Sequence, residues 1–217
     1  MVHDIDGINT PASGLTSSKQ YSDLGDAVTL TCAYTENTSA ATITWYKNND
    51  VTSDNVSSGG AGKSLVTLAS TAFSDSAEYK CKVDYGGSFG SHTSDGLKQY
   101  VRGIATGVTG TKYALIGSAV TQTCTVHGDI LSKDVVWTNS KGAIVGASYT
   151  KATAAYSTSD YSTTSTLTIS AVTAADTTSF TCTVEYTQGS ASKTGMVPTE
   201  ILSEFNKCCC KSSVYTM

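Results

Sequence analysis

The sequence predicts an all-β protein built from two antiparallel β-sandwiches in tandem, and three observations predict it. The first is an internal repeat. Ala27-Val28-Thr29-Leu30-Thr31-Cys32 returns 92 residues later as Ala119-Val120-Thr121-Gln122-Thr123-Cys124, and "SLVTLASTAFSDSAEYKC" (64–81) aligns without gaps on "STLTISAVTAADTTSFTC" (165–182). A repeat of about 100 residues is too long for a solenoid unit and means two copies of one domain, which also suits a chain of 217 residues. The second is period-two alternation within the repeated segments. The third is composition: Ser and Thr make up roughly 30% of the chain, and Thr, Val and Tyr at such density favour extended structure.

The strands follow in order along each copy. Val28, Leu30 and Cys32 face one way while Thr29 and Thr31 face the other, so the cysteine lies on the apolar face. Trp45 stands 13 residues after Cys32, and Trp137 stands 13 after Cys124. Later, Tyr79, Cys81, Val83 and Tyr85 alternate again, and "CKVDY" (81–85) returns as "CTVEY" (182–186). Within the gapless match Val66/Leu167, Leu68/Ile169, Asp75/Asp176, Tyr79/Phe180 and Cys81/Cys182 correspond. Asn48-Asn49-Asp50, Gly59-Gly60 and Gly86-Gly87 supply the turns that separate such short strands.

A tryptophan between two inward cysteines, written twice, resembles the immunoglobulin superfamily: Cys32…Trp45…Cys81 and then Cys124…Trp137…Cys182. "DSAEYKC" (75–81) is similar to the signature around that family's second cysteine. The resemblance covers about residues 17–203. It implies two tandem immunoglobulin-like sandwiches, each with a disulfide through its core, Cys32–Cys81 and Cys124–Cys182. The same resemblance makes Trp45 and Trp137 the indoles against the sulfurs, and Tyr79 a tyrosine-corner residue. Domain 1 is expected over 17–103, domain 2 over 104–204, and a disordered cysteine-rich tail over 205–217.

Departures from the family pattern qualify what is carried over. Phe180 stands where the first copy has Tyr79, so the corner hydroxyl and its hydrogen bond, worth roughly 1 kcal/mol, are missing from the second copy. Gln122 takes the inward position of Leu30; either it finds a buried partner or that strand is shifted. The cysteines are 49 residues apart in the first copy and 58 in the second, the surplus falling between Trp137 and the repeated strand that follows. The first copy therefore looks like the compact I or C2 type, and the second, with room for another edge strand, like an I or V type. An antibody light chain is rejected, because Phe89-Gly90-Ser91-His92 has His where the variable domain's second bulge glycine belongs. "LKQYVRGIATGVTGTKYALIG" (97–117) contains no proline, so the last strand of one copy is expected to lead almost directly into the first of the next.

Chemistry is sparse. A net charge of −4 and a lone arginine, Arg102, offer no basic patch for phosphates, which argues against nucleic acid. His3, His92 and His127 make no catalytic arrangement, and the Cys124-x-x-His127 spacing sends the two side chains to opposite faces of a strand. We expect no enzyme activity, no cofactor and no metal site. No apolar run is long enough to cross a bilayer. The first residues lack a charged n-region followed by an apolar stretch, so the chain reads as a mature or recombinant form with an added Met, or as a partial sequence.

Candidate contact residues remain. Asp84-Tyr85-Gly86-Gly87-Ser88-Phe89 forms a hairpin tip whose aromatics offer contact area and whose glycines let it adapt; Tyr85 finishing the core face is the plainer alternative. "SYTKATAAYSTSDYSTTS" (148–165) is an edge strand with exposed aromatics. Asn37-Thr38-Ser39 and Asn55-Val56-Ser57 are N-glycosylation sequons in loops. Cys208, Cys209 and Cys210 are left over in the tail: interchain disulfides of a covalent dimer, juxtamembrane palmitoylation, or a terminus without a role.

The family resemblance implies an extracellular recognition or adhesion protein, secreted or an ectodomain, binding a protein or glycan, homophilically or otherwise. Secreted immune-type effectors are the near alternative. A structural intracellular tandem is the rival of another class, and both cysteine pairs argue against it, because disulfides seldom persist in a reducing compartment.

Overall fold

The computed structural model describes residues 14–35, 41–86, 90–111, 113–131, 134–143, 145, 151–176, 178–186 and 192–202. The chain divides into two compact units between Arg102 and Gly103. Each is all-β among the described residues apart from 3-10 turns, among them Phe73–Asp75 and Ala174–Asp176.

In the first unit one sheet is ordered β1 (Leu15–Ser17), β3 (Val28–Ala33), β7 (Lys63–Leu68) and β6 (Val56–Ser58). The facing sheet holds β5 (Asp50–Thr52), β4 (Thr42–Lys47), β8 (Ala77–Asp84) and the start of β10 (Leu97–Gly110). There β9 (Ser91–Thr93) also pairs with β8, and β2 (Tyr21–Asp23) runs parallel to β10. Strict alternation of buried and half-buried residues along β3 and β8 puts Val28, Leu30, Cys32, Ala77, Tyr79, Cys81 and Val83 into the core with Trp45 and Val66. Burial of that apolar set holds the layers together, and each large side chain contributes about 1.5–3 kcal/mol.

The remainder of β10 belongs to the second unit, where it pairs antiparallel with β12 (Val120–His127). That sheet continues through β15 (Ser162–Ile169) to β14 (Ala152–Thr158) at its edge. Its partner is ordered β11 (Tyr113–Leu115), β17 (Ser192–Leu202), β16 (Thr178–Glu185) and β13 (Val135–Asn139). The core repeats the first: Val120, Cys124, Val126, Trp137, Leu167, Ile169, Phe180, Cys182 and Val184 are buried together.

Three expectations meet the structure here. β10 runs unbroken from Leu97 to Gly110, so no separate linker intervenes. The surplus residues of the second copy lengthen the strand before the repeated one: β14 has seven residues where β6 has three. The further edge strand is not among the described residues, where Val145 N–H donates to Trp137 O (3.0 Å) and Asn139 N–H to Ala143 O (3.2 Å) beside β13; 146–150 lie outside them. Gln122 resolves its two alternatives: β12 keeps an unshifted register with β15 from Val120↔Ile169 to His127↔Ser162, and the buried amide donates to the Thr111 carbonyl. The strand stays in place because the amide has a partner.

Candidate recognition surface

Both cores are fixed by one constellation. Cys32 is bonded to Cys81 and Cys124 to Cys182, with Cα–Cα distances of 6.3 and 6.4 Å. All four cysteines are fully buried, and each bridge ties β3 to β8 or β12 to β16, strands of opposite sheets. Trp45 pairs across β4–β8 with Cys81, and Trp137 across β13–β16 with Cys182, so each indole lies beside its bridge. Its N–H is not left dry: Trp45 Nε1 donates to Ser64 Oγ (2.9 Å) and Trp137 Nε1 to Ser165 Oγ (2.8 Å). Those serines sit opposite Cys32 and Cys124 in the ladder. Sequence reasoning passed over them although they head the repeated segments, and a serine recurring at an inward-facing position is the signal that could have found them. Tyr79 Oη donates to the Asp75 carbonyl (3.4 Å), and Phe180, fully buried in the equivalent place, has no hydroxyl to do so.

Of the hairpin tip, Asp84, Tyr85 and Gly86 are described and Gly87, Ser88 and Phe89 lie outside the described residues. Gly86 N–H donates to the Asp84 carboxylate (2.9 Å), and Tyr85 N–H to Gly90 O (3.1 Å), which closes the turn. Gly86 holds a φ of 69°, a left-handed conformation that glycine adopts without strain. Tyr85 is half-buried against the first core and meets His92 edge-to-face at 6.2 Å. Its ring therefore finishes the core face, and Asp84 is the described side chain of the tip that stands exposed on β8.

A second surface is built by register. On the outer face of β5–β4–β8–β9, Val51 lies opposite Tyr46 and Tyr46 opposite Lys80; Thr44 lies opposite Lys82 and Lys82 opposite Thr93. Val51 is 70% exposed. Lys80 is held by Glu78 (2.9 Å) and by Asn49 Oδ1 (3.2 Å), so its charge is locally neutralised. The face thus presents Tyr46 and Val51 beside the Lys80–Glu78 ion pair, with Lys82 further along it. Elsewhere in the first unit an open cleft is lined by Tyr34, Ile43, Val56 and Ser64 among others.

Elsewhere the residues singled out by the sequence fall as follows. Asn55 is exposed before β6 with φ 58°, its carbonyl accepting Thr67 N–H (3.1 Å), and Ser57 of its sequon is exposed; Asn37 lies outside the described residues. His127 lies half-buried on the opposite face of β12 from Cys124, and burial holds its imidazole pKa below the ordinary value. Cys208, Cys209 and Cys210 lie outside the described residues. Among the described residues no three His, Cys, Asp or Glu side chains gather to hold a metal ion, and no helix is long and apolar enough to cross a membrane.

Comparison with known proteins agrees with this architecture. Two family models, both described as immunoglobulin domain, match residues 13–84 and 110–194. No curated protein matches the chain. Among solved structures, a titin fragment (A168169) is similar at 15% identity and a TM-score of 0.54, over 84% of this chain and 93% of that one. Another is the structure of Dpr2 Ig1-Ig2 in complex with DIP-Theta Ig1-Ig3, at 16% identity and a TM-score of 0.54, over 91% of this chain and 63% of that one. Likeness at such identity speaks for the fold alone.

Proposed function

Because the chain belongs to the immunoglobulin family, as two tandem immunoglobulin domains, we propose that it is an extracellular recognition protein that binds a protein or glycan partner. The observation that carries the reading is the pair of buried disulfides, one inside each domain. Such bonds persist in oxidising compartments and are rare where glutathione keeps thiols reduced. Immunoglobulin domains are typically non-catalytic, and no enzyme family matches the chain. The paired solved structure of Dpr2 with DIP-Theta is an example of tandem domains of this kind engaging another protein, which makes a protein the first class of partner to test.

The contact surface we infer is the outer face around Tyr46 and Val51, extended by Asp84 and the hairpin tip to Phe89. Tyr46 and an exposed aliphatic beside the Lys80–Glu78 ion pair offer contact area that desolvates at small cost, which is what a specific contact needs. Asn55 is the glycan acceptor of this reading, together with Asn37, and Cys208–Cys210 would link two chains covalently. Domain boundaries of 17–103 and 104–204 and the I/C2-like and I/V-like types belong to the same proposal.

The test has two arms. Mass spectrometry of protein from its natural source, with and without reduction, is expected to find Cys32, Cys81, Cys124 and Cys182 without free thiols. Free thiols there would move the protein to the intracellular structural reading. A binding screen against cell-surface proteins and glycans, repeated with Val51→Asp, is expected to lose its hits with the variant; hits that persist unchanged would displace the surface.

A further inference from the structure

The seven residues of β14, Ala152–Thr158, form a sheet edge unlike the others. Among the described residues the other edges are short, bulged or covered: β1, β5, β6 and β11 have three residues each, the Gly103–Gly110 half of β10 pairs with β12 through two register shifts, and β13 is bridged by Val145. β14 is seven residues long and pairs with β15 without a bulge, from Ala152↔Ile169 through Thr158↔Thr163. It ends the strand order, and no described strand pairs with its other side. Natural edges are blunted by charge, proline or a bulge. The sequence Ala-Thr-Ala-Ala-Tyr-Ser-Thr has none of these. Thr153, Ala155, Tyr156, Ser157 and Thr158 are all exposed, so nothing described covers them.

We propose that this edge pairs antiparallel with the β14 of a second copy of the same chain. The strand is self-complementary about Ala155. A two-fold axis there sets Tyr156 against the partner's Ala154, large against small, and Thr153 against the partner's Ser157. It sets Ala155 against itself, so no like charges meet. The flanks agree with it. Lys151, its ammonium 3.7 Å from Asp176 of its own chain, precedes the strand and Asp160 follows it, both exposed; an antiparallel copy sets each Lys151 opposite the other chain's Ser159, next to that chain's Asp160. Tyr156 is already held in place, its hydroxyl donating to Val135 O (3.2 Å), so little ordering is left for pairing to impose. One short strand on each side makes a small interface, and the association is of the weak, reversible class.

This deepens the recognition reading by naming a partner, and it can fail alone: a chain that stays monomeric yet captures another protein removes the edge pairing and leaves that reading standing. The experiment is sedimentation velocity on the full chain from about 1 μM to about 500 μM, a range that spans weak association. Cys208→Ser, Cys209→Ser and Cys210→Ser are introduced together so that tail disulfides do not contribute. The expected result is concentration-dependent dimerisation that Ala155→Lys or Ala155→Glu weakens about fivefold, since either places like charges on the axis. Mixing the two variants is expected to restore it. Ala155 is exposed, so circular dichroism of both variants should match the parent. A parent that remains monomeric throughout, or a dimer indifferent to both substitutions, overturns the proposal.

Discussion

The two domains share a core and differ around it. Disulfide, indole and buried serine recur with the same partners in both: Cys32, Cys81, Trp45 and Ser64, then Cys124, Cys182, Trp137 and Ser165. The turn before the second cysteine is held differently. In the first domain Lys47 reaches Asp75 (3.0 Å), sits over the Tyr79 ring at 5.9 Å, and Tyr79 bonds back to Asp75 O. In the second, Asn139 occupies the strand position of Lys47 and accepts its own turn's Lys141 and Ala143 N–H groups (both 3.0 Å). Asp176 accepts Thr173 N–H (2.7 Å) as Asp75 accepts Ala72 N–H (2.9 Å), and it is further served by the Thr173 hydroxyl (2.7 Å) and by Lys151 at 3.7 Å from the lengthened β14 side. The turn needs a satisfied carboxylate in both domains, and several side chains can satisfy it. The sulfur–indole–serine cluster admits no such exchange, because it is packed from all sides in a dry interior.

The largest expected effect tests whether the shared cluster is equally essential in both. Cys32→Ala with Cys81→Ala, and separately Cys124→Ala with Cys182→Ala, should each cost about 2–5 kcal/mol and melt only the altered domain in calorimetry. The closed loops of 49 and 58 residues differ too little for chain entropy to separate the two. Markedly unequal losses would break the symmetry of the cores.

Next comes the serine. Ser64→Ala and Ser165→Ala each leave an indole N–H buried without its acceptor, for a cost of about 1–3 kcal/mol in the matching domain. Chemical denaturation followed by the fluorescence of the remaining tryptophan, with Trp45→Phe or Trp137→Phe isolating each domain, measures it. A loss in one domain alone would show that the serines are not equivalent.

A smaller effect sharpens the difference in the turns. Tyr79→Phe makes the first domain resemble the second at one atom and should cost no more than about 1 kcal/mol, the bond being long at 3.4 Å. A larger loss in thermal melts would mean that the Lys47–Asp75–Tyr79 group acts as a unit.

The smallest effect is in pH. Burial lowers the folded pKa of His127 below its ordinary 6.5, so the unfolded chain takes the proton more readily. The stability supplied by the neutral imidazole is complete above about pH 6.5 and is lost as pH falls from there through the folded value. In the first domain Asp26 is displaced instead, its pKa lowered by the Asp23 N–H and then by Lys19, so its contribution is present above 3.8 and lost only as pH falls below that. Melting from pH 7 to pH 5 should therefore depress the second domain more than the first, and His127→Gln should remove that difference. Equal slopes in the variant and the parent would refute it.

Much of this was legible in the residues because it repeats. Period-two alternation fixed the faces of β3, β8 and β12, and the doubled Cys–Trp–Cys frame, through its family resemblance, singled out the residues now found bonded and buried. Tyr85 was legible only as an alternative, and its place against the core was decided by the packing of His92 and the β8–β9 ladder. Ser64, Ser165 and the Thr111 partner of Gln122 went unread, since a polar residue announces nothing about which distant group will share its burial. Alternation and spacing are local properties of a chain, so the sequence by itself determined which residues face inward and that two sandwiches follow one another. Which donor meets which acceptor, and which strand is left at an edge, depends on chain segments brought together from far apart, and only the tertiary structure decided it.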